Sequence, residues 1–97
     1  MKRVRVTNDA ERDLDEIWLY IARDSVEAAN RLIDELTSRF PLLGSSPQMG
    51  RLREELKLNL RSHAVGNYII YYRETQRGVS ILRVVHGSRD PKRALGL

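Results

Sequence analysis

The segment GSSPQMG, residues 44–50, divides this chain into two parts whose apolar residues obey different periods. Upstream, after a short alternating start, they recur every three or four residues; downstream they fall into short strand-like runs. A chain of 97 residues with this one clear break is expected to form one domain, 1–97, around a single core of modest size. The segment reads as a loop within that domain, with no room on either side for a separate catalytic unit.

The upstream part opens with KRVRVT, in which Val4 and Val6 alternate with Arg3 and Arg5 as a half-buried strand requires. Thr7 or Asn8 then stands where a helix cap belongs, and Glu11, three residues after Asn8, completes a capping-box pattern. Ala10, Leu14, Ile17, Trp18 and Ile21 share one face, predicting a helix over 8–23. A new cap at Asp24 or Ser25 is followed by Ala29, Leu32, Ile33, Leu36 and Phe40, predicting a second helix over 26–40. The connection is so short that the two helices must be antiparallel neighbours. Pro41 removes a backbone donor and disfavours helical geometry at Phe40, so the second helix is expected to end or kink there. The acids Glu11, Asp13, Asp15 and Glu16 read as a solvated face.

Downstream, LNLRSHAV, NYIIYYRET and VSILRVVHG are separated by turn signals at Gly66–Asn67 and Gln76–Gly78, predicting an antiparallel meander. The expected fold class is α+β, ordered β-α-α-β-β-β, with a helical hairpin packed on one face of a small antiparallel sheet. In the middle strand both rows, Tyr68-Ile70-Tyr72 and Ile69-Tyr71-Arg73, are largely apolar. Two helices cover one face, so the other is expected to leave apolar surface for a partner. The last residues, DPKRALGL, read as a short basic tail.

With no cysteine, and with His63 and His86 isolated, neither a thiolate nor a histidine metal site is expected, and no cofactor is implied. The N-terminus lacks the apolar core of a signal peptide, and no apolar run approaches the roughly 20 residues a bilayer requires. A cytoplasmic protein without membrane contact is the expectation. Charge is segregated: residues 9–35 carry nine acids against three bases, and residues 36–97 eleven bases against four acids. The basic part suits an acidic or nucleic-acid-bound partner.

Glycine-rich phosphate loops, GxSxG elbows and cysteine nucleophiles are absent from the sequence. The residue types needed for metal-free RNA cleavage are present: His86 as acid or base, Arg61 and Arg89 for phosphate, Tyr72 to orient or donate. The structural alternative is a hydrogen-bonded histidine at a strand end among solvated arginines. Trp18, Leu19 and Tyr20 widen the apolar stripe of the first helix, either as core and amphipathic surface or as one wall of a groove for a partner helix.

Four strings, TNDAERDLDEIWLYIARDS, SSPQMGR, LRSHAVGNYIIYYRE and ILRVVHGSRDP, occur in an order that resembles the ParE/RelE toxin superfamily, and more closely its ParE branch. The resemblance spans nearly the whole chain. It implies the toxin of a type II toxin–antitoxin pair, held in a hetero-oligomer by a cognate ParD-like antitoxin whose disordered C-terminal segment folds onto it. It further implies DNA gyrase as target. The expected target contacts are His86, Arg89, Lys92 and Arg93 in the basic C-terminal part, and the expected antitoxin contacts are Trp18, Leu19, Tyr20, Ile69 and Tyr71 on the apolar surface. RelE-like relatives instead cut mRNA in the ribosome and commonly carry a C-terminal aromatic; here no tyrosine follows His86. A binding module of the same fold without toxicity is the third alternative.

Overall fold

A computed structural model describes residues 3–97. Strand β1 (Arg3–Val6) leads into α1 (Asn8–Ala22), whose N-cap is Thr7: its Oγ1 accepts the Ala10 N–H at 3.1 Å and donates to Leu82 O at 3.0 Å. With the cap at Thr7, the reciprocal position falls on Ala10, so Glu11 does not close a capping box. Ser25 caps α2 (Val26–Ser45), accepting the Ala28 N–H at 3.1 Å.

Helix α2 passes through Pro41 and continues to Ser45, so of the end or kink expected at Phe40 the end does not occur. The Thr37 hydroxyl, one turn before Pro41, donates back to Ile33 O at 2.9 Å, an interaction of the kind that bends helices. The final turn is held by packing. Leu43 is fully buried, and Gly44 lies against Val4, where a β-carbon would approach Cγ2 to 2.8 Å. Burying Leu43 contributes about 2 kcal/mol, comparable to the donor that proline withholds.

After a 3₁₀ turn (Pro47–Met49) come β2 (Arg51–Leu52), β3 (Leu60–Val65), β4 (Tyr68–Thr75), β5 (Gly78–His86) and a short helix α3 (Pro91–Ala94). The sheet order is β1-β5-β4-β3-β2. The meander β3-β4-β5 is antiparallel as expected, but β1 joins β5 in parallel, so the sheet is mixed. Parallel pairing follows from the helical hairpin acting as the crossover between β1 and the rest. The two-residue β2 and the α3 turn were not foreseen. Among the described residues, no helix is long and apolar enough to cross a membrane.

The main core lies between the hairpin and the sheet, with Ile17, Leu36, Phe40, Ile70, Tyr72 and Ile81 at its centre. The expectation of an uncovered second face is corrected. Tyr71, 1% exposed, packs there with Leu60, Val85 and Ala94 beneath α3 and the 53–59 loop, so it is unavailable to an antitoxin in this state. The residues that read as a basic tail form a lid over this smaller core, N-capped by Asp90.

Candidate functional site

Strand β1 stops opposite Ile81 because the chain turns into α1, leaving the outer edge of β5 without a strand partner from Leu82 onward. A bulge lies just there: Tyr72 opposes Ile81 and Tyr71 opposes Arg83, so Leu82 is the extra residue. The bulge shifts the alternation and re-aims Arg83 around the sheet edge. Its Nε donates to Asp13 Oδ2 at 2.7 Å, its Nη2 to Asp13 Oδ1 at 3.0 Å, and its Nη1 to Ala94 O. Asp13 also accepts the Val84 N–H at 2.9 Å, satisfying an edge donor that β1 does not reach. The hydrogen bond to Asp13 is the main reason the Arg83 guanidinium is held above its ordinary range.

Asp13 is therefore a buried structural acid, 7% exposed, and not part of a solvated face. The signal was in the spacing: it follows Ala10 by three residues and precedes Ile17 by four, both buried, which places it on the core-facing stripe.

Along this edge runs an open groove of about 880 Å³ between α1 and the β3–β4 turn, lined by Ile17, Tyr20, Asn67, Tyr68, His86 and Arg89 among others. Tyr68 and His86 are cross-strand partners, with ring centroids 5.2 Å apart at 82°. Burial, with the nearby Tyr20 as a lesser cause, pushes the Tyr68 phenol up. Beyond His86 the chain turns tightly: Gly87 N–H donates to Asn67 O at 2.7 Å and Arg89 N–H to His86 O at 3.1 Å. The Ser88 N–H donates to His86 Nδ1 at 3.1 Å, and the Ser88 hydroxyl lies 2.8 Å from the same nitrogen, so Nδ1 is engaged by this turn.

The four residues considered for RNA cleavage do not assemble. Arg61 and Tyr72 are cross-strand partners toward the far end of the sheet, while His86 pairs with Tyr68, four residues and roughly 13 Å along β4. Tyr72 is fully buried and its hydroxyl donates to Pro47 O at 2.6 Å; Arg61 Nη1 donates to Gly50 O at 2.9 Å. These two side chains fasten the 46–50 segment to the sheet. Burial is the largest influence on the Tyr72 phenol and pushes it up.

His86, Arg89, Lys92 and Arg93 are all exposed, on the end of β5 and on the segment leading through α3. Of the residues considered for antitoxin contact, Leu19 and Tyr20 are 61% and 66% exposed on α1, and Ile69 is half-buried on β4. Trp18 is half-buried and its Nε1 donates to Asn30 Oδ1 at 2.8 Å, tying α1 to α2. Sequence reasoning missed Asp13, Asn67 and Ser88, whose roles depend on the bulge and on the turn after β5. No group of three or more potential metal ligands occurs among the described residues.

The model of the family "ParE toxin of type II toxin-antitoxin system, parDE" matches residues 4–91. The chain is similar to Toxin ParE1 of Caulobacter vibrioides, 36% identical over 97 residues, covering 99% of this chain and 100% of that protein. Its fold is similar to a chain of a chromosomal ParDE toxin–antitoxin system from P. aeruginosa, with TM-score 0.75 and 20% identity over 89% of this chain and 96% of that one. It is also similar to a chain of the toxin–antitoxin complex RelBE2 from Mycobacterium tuberculosis, with TM-score 0.67 and 29% identity over 88% and 96%. A helical hairpin on a mixed sheet, with nearly full-length sequence similarity, places this chain in the ParE toxin family of type II toxin–antitoxin systems.

Proposed function

We propose that this toxin inhibits DNA gyrase without cutting RNA, and that a ParD-like antitoxin neutralises it by docking a folding segment along the α1–β5 groove. The observation that carries the first part is the division of the would-be nuclease groups. Tyr72 has its hydroxyl committed to Pro47 O, Arg61 is bonded to Gly50 O, and His86 lies far along the sheet with Nδ1 occupied. Phosphoryl transfer needs acid, base and cation within reach of one phosphate, and this distribution does not supply that.

The exposed His86, Arg89, Lys92 and Arg93 form the target-contacting surface in this reading. A basic end suits a nucleic-acid-bound protein target. For the antitoxin, Tyr20 offers exposed apolar surface in the groove, and Leu19 is a further exposed apolar side chain on α1. A segment that orders on binding needs such area to offset its loss of conformational entropy.

Purified toxin is expected to block gyrase supercoiling or trap cleaved DNA, and His86→Ala with Arg89→Ala to relieve that block. Mapping of mRNA ends after induction should yield no new cleavage sites. Unaffected gyrase at saturating toxin would sink the target assignment, and new mRNA ends would replace it with ribosome-dependent cleavage. Normal growth on induction without antitoxin would identify a non-toxic binding module.

A further inference from the structure

Away from the groove, on the sheet face opposite the helical hairpin, Arg5 of β1, Ser80 of β5 and Arg73 of β4 stand in one cross-strand row. Two inter-strand steps put the two arginine Cα atoms about 10 Å apart. Arg3 lies on the same face of β1, two residues or about 7 Å from Arg5. Arg77 belongs to the β4–β5 hairpin, and its carbonyl accepts the Arg3 N–H at 2.6 Å. A hollow of about 600 Å³ opens beside Arg3, Arg5 and Arg77, lined also by Thr75, Gln76, Val4 and Val79 and by no carboxylate; Arg73 stands outside it, one strand further along the row.

All four arginines are exposed, and none is in an ion pair: the pairs among the described residues are Arg12–Asp9, Arg53–Glu55 and Arg83–Asp13. Glu74, the nearest acid along the chain, opposes Val79 in the other row of β4; it shares a separate hollow with Arg73 and Arg61 without forming an ion pair to either. Four cations this close repel one another, and an anion laid across them relieves that repulsion.

The floor of the patch selects the kind of anion. Between the arginines lie Ser80, Gly78 and Thr75, which form no apolar pockets for the alternate side chains of an acidic peptide strand. No aromatic ring is available for stacking unpaired bases, because Tyr71, the β4 aromatic on this face, is buried beneath α3. What remains is a flat array of guanidinium forks, suited to phosphodiester oxygens and indifferent to sequence. We propose that this face binds the phosphate backbone of duplex DNA through Arg3, Arg5, Arg73 and Arg77.

The experiment is a salt titration of binding to a short labelled DNA duplex of arbitrary sequence, without gyrase. Four phosphate contacts predict a log–log slope of about −3.6 and roughly a 100-fold loss of affinity between about 50 and 200 mM salt. Arg5→Gln with Arg73→Gln should reduce the slope by about 1.8. The charge-matched Arg23→Gln with Arg31→Gln, on the helices, should leave it unchanged. Thermal melting of each variant verifies that these exposed substitutions leave the fold intact. Equal losses in the two double variants, or no duplex binding by wild type at low salt, would overturn the proposal. Retention of only single-stranded RNA, or of poly-glutamate in place of the duplex, would overturn it in favour of that ligand. Because the assay contains no gyrase, failure here leaves the proposed target untouched.

Discussion

Asp13 and Arg83, 70 residues apart in the chain, are joined by two side-chain hydrogen bonds of 2.7 and 3.0 Å, and Asp13 also takes the Val84 N–H at 2.9 Å. This acid closes the sheet edge that β1 leaves open. Asp13→Ala strands a guanidinium and a buried backbone donor together, and since Arg83 is partly solvated the cost should be about 3 kcal/mol. Asp13→Asn keeps an acceptor for Val84 and should cost less, about 1–2 kcal/mol. Urea unfolding measures both, as a lower midpoint at unchanged slope.

Tyr72 and Gly50 interlock, since a β-carbon on Gly50 would come within 2.0 Å of the Tyr72 hydroxyl oxygen and 2.7 Å of its ring. Gly50→Ala should therefore destabilise by about 2 kcal/mol or more through overpacking. Tyr72→Phe removes the bond to Pro47 O and should cost about 1–2 kcal/mol. In the double variant the losses should sum to less than additivity predicts, because removing the hydroxyl relieves the closest contact while the ring contacts remain. Toxicity per folded molecule should survive Tyr72→Phe, as expected for a loop fastener and not for a catalytic phenol.

Much of this molecule was legible in the sequence because each element carries its own local signal. The helix stripes, the Ser25 cap and the Gly66–Asn67 turn all lie where spacing and turn chemistry put them. What was not legible depends on tertiary contact. Helix α2 outlasts Pro41 because Leu43 and Gly44 pack on the sheet. Tyr71 is buried because four residues of a polar-looking tail fold back as α3 over it. The bulge at Leu82 carries no glycine or proline, yet it decides where Arg83 points and so what Asp13 does. His86 and Arg89 did fall beside one groove, but Arg61 and Tyr72 joined a different part of the sheet, which residue types alone do not reveal.

His63, on β3 opposite Ile70, has its Nε2 buried without a hydrogen-bond partner among the described residues. Burial, and secondarily Arg39 on α2, push this imidazole below its ordinary range. Below about pH 6.5 the unfolded chain binds a proton that the folded chain resists, so stability should fall as pH drops from about 6.5 toward the lowered folded value. His63→Gln cannot titrate and should flatten that part of the profile. Melting temperatures of both proteins across pH 5 to 8 check this; identical slopes would assign the acid sensitivity to other groups.

Tyr20 and Trp18 sit two residues apart on α1 but face different neighbours, and that separates binding from stability. Tyr20 lines the groove near Tyr68 and His86 and has no hydrogen-bond partner among the described residues, whereas Trp18 is bonded to Asn30 at 2.8 Å. An exposed aromatic beside a groove has the properties of an interface anchor, whose truncation costs about 2 kcal/mol, or roughly 30-fold in Kd. Tyr20→Ala should weaken the antitoxin complex by that factor while moving toxin stability by less than about 0.5 kcal/mol. Trp18→Phe should do the reverse, lowering stability by about 1 kcal/mol through the lost inter-helix bond and leaving affinity within about threefold. Calorimetric titration of the antitoxin's C-terminal segment against both variants decides between them. A larger affinity loss at Trp18 than at Tyr20 would move the docking surface from the α1–β5 groove to the α1–α2 face.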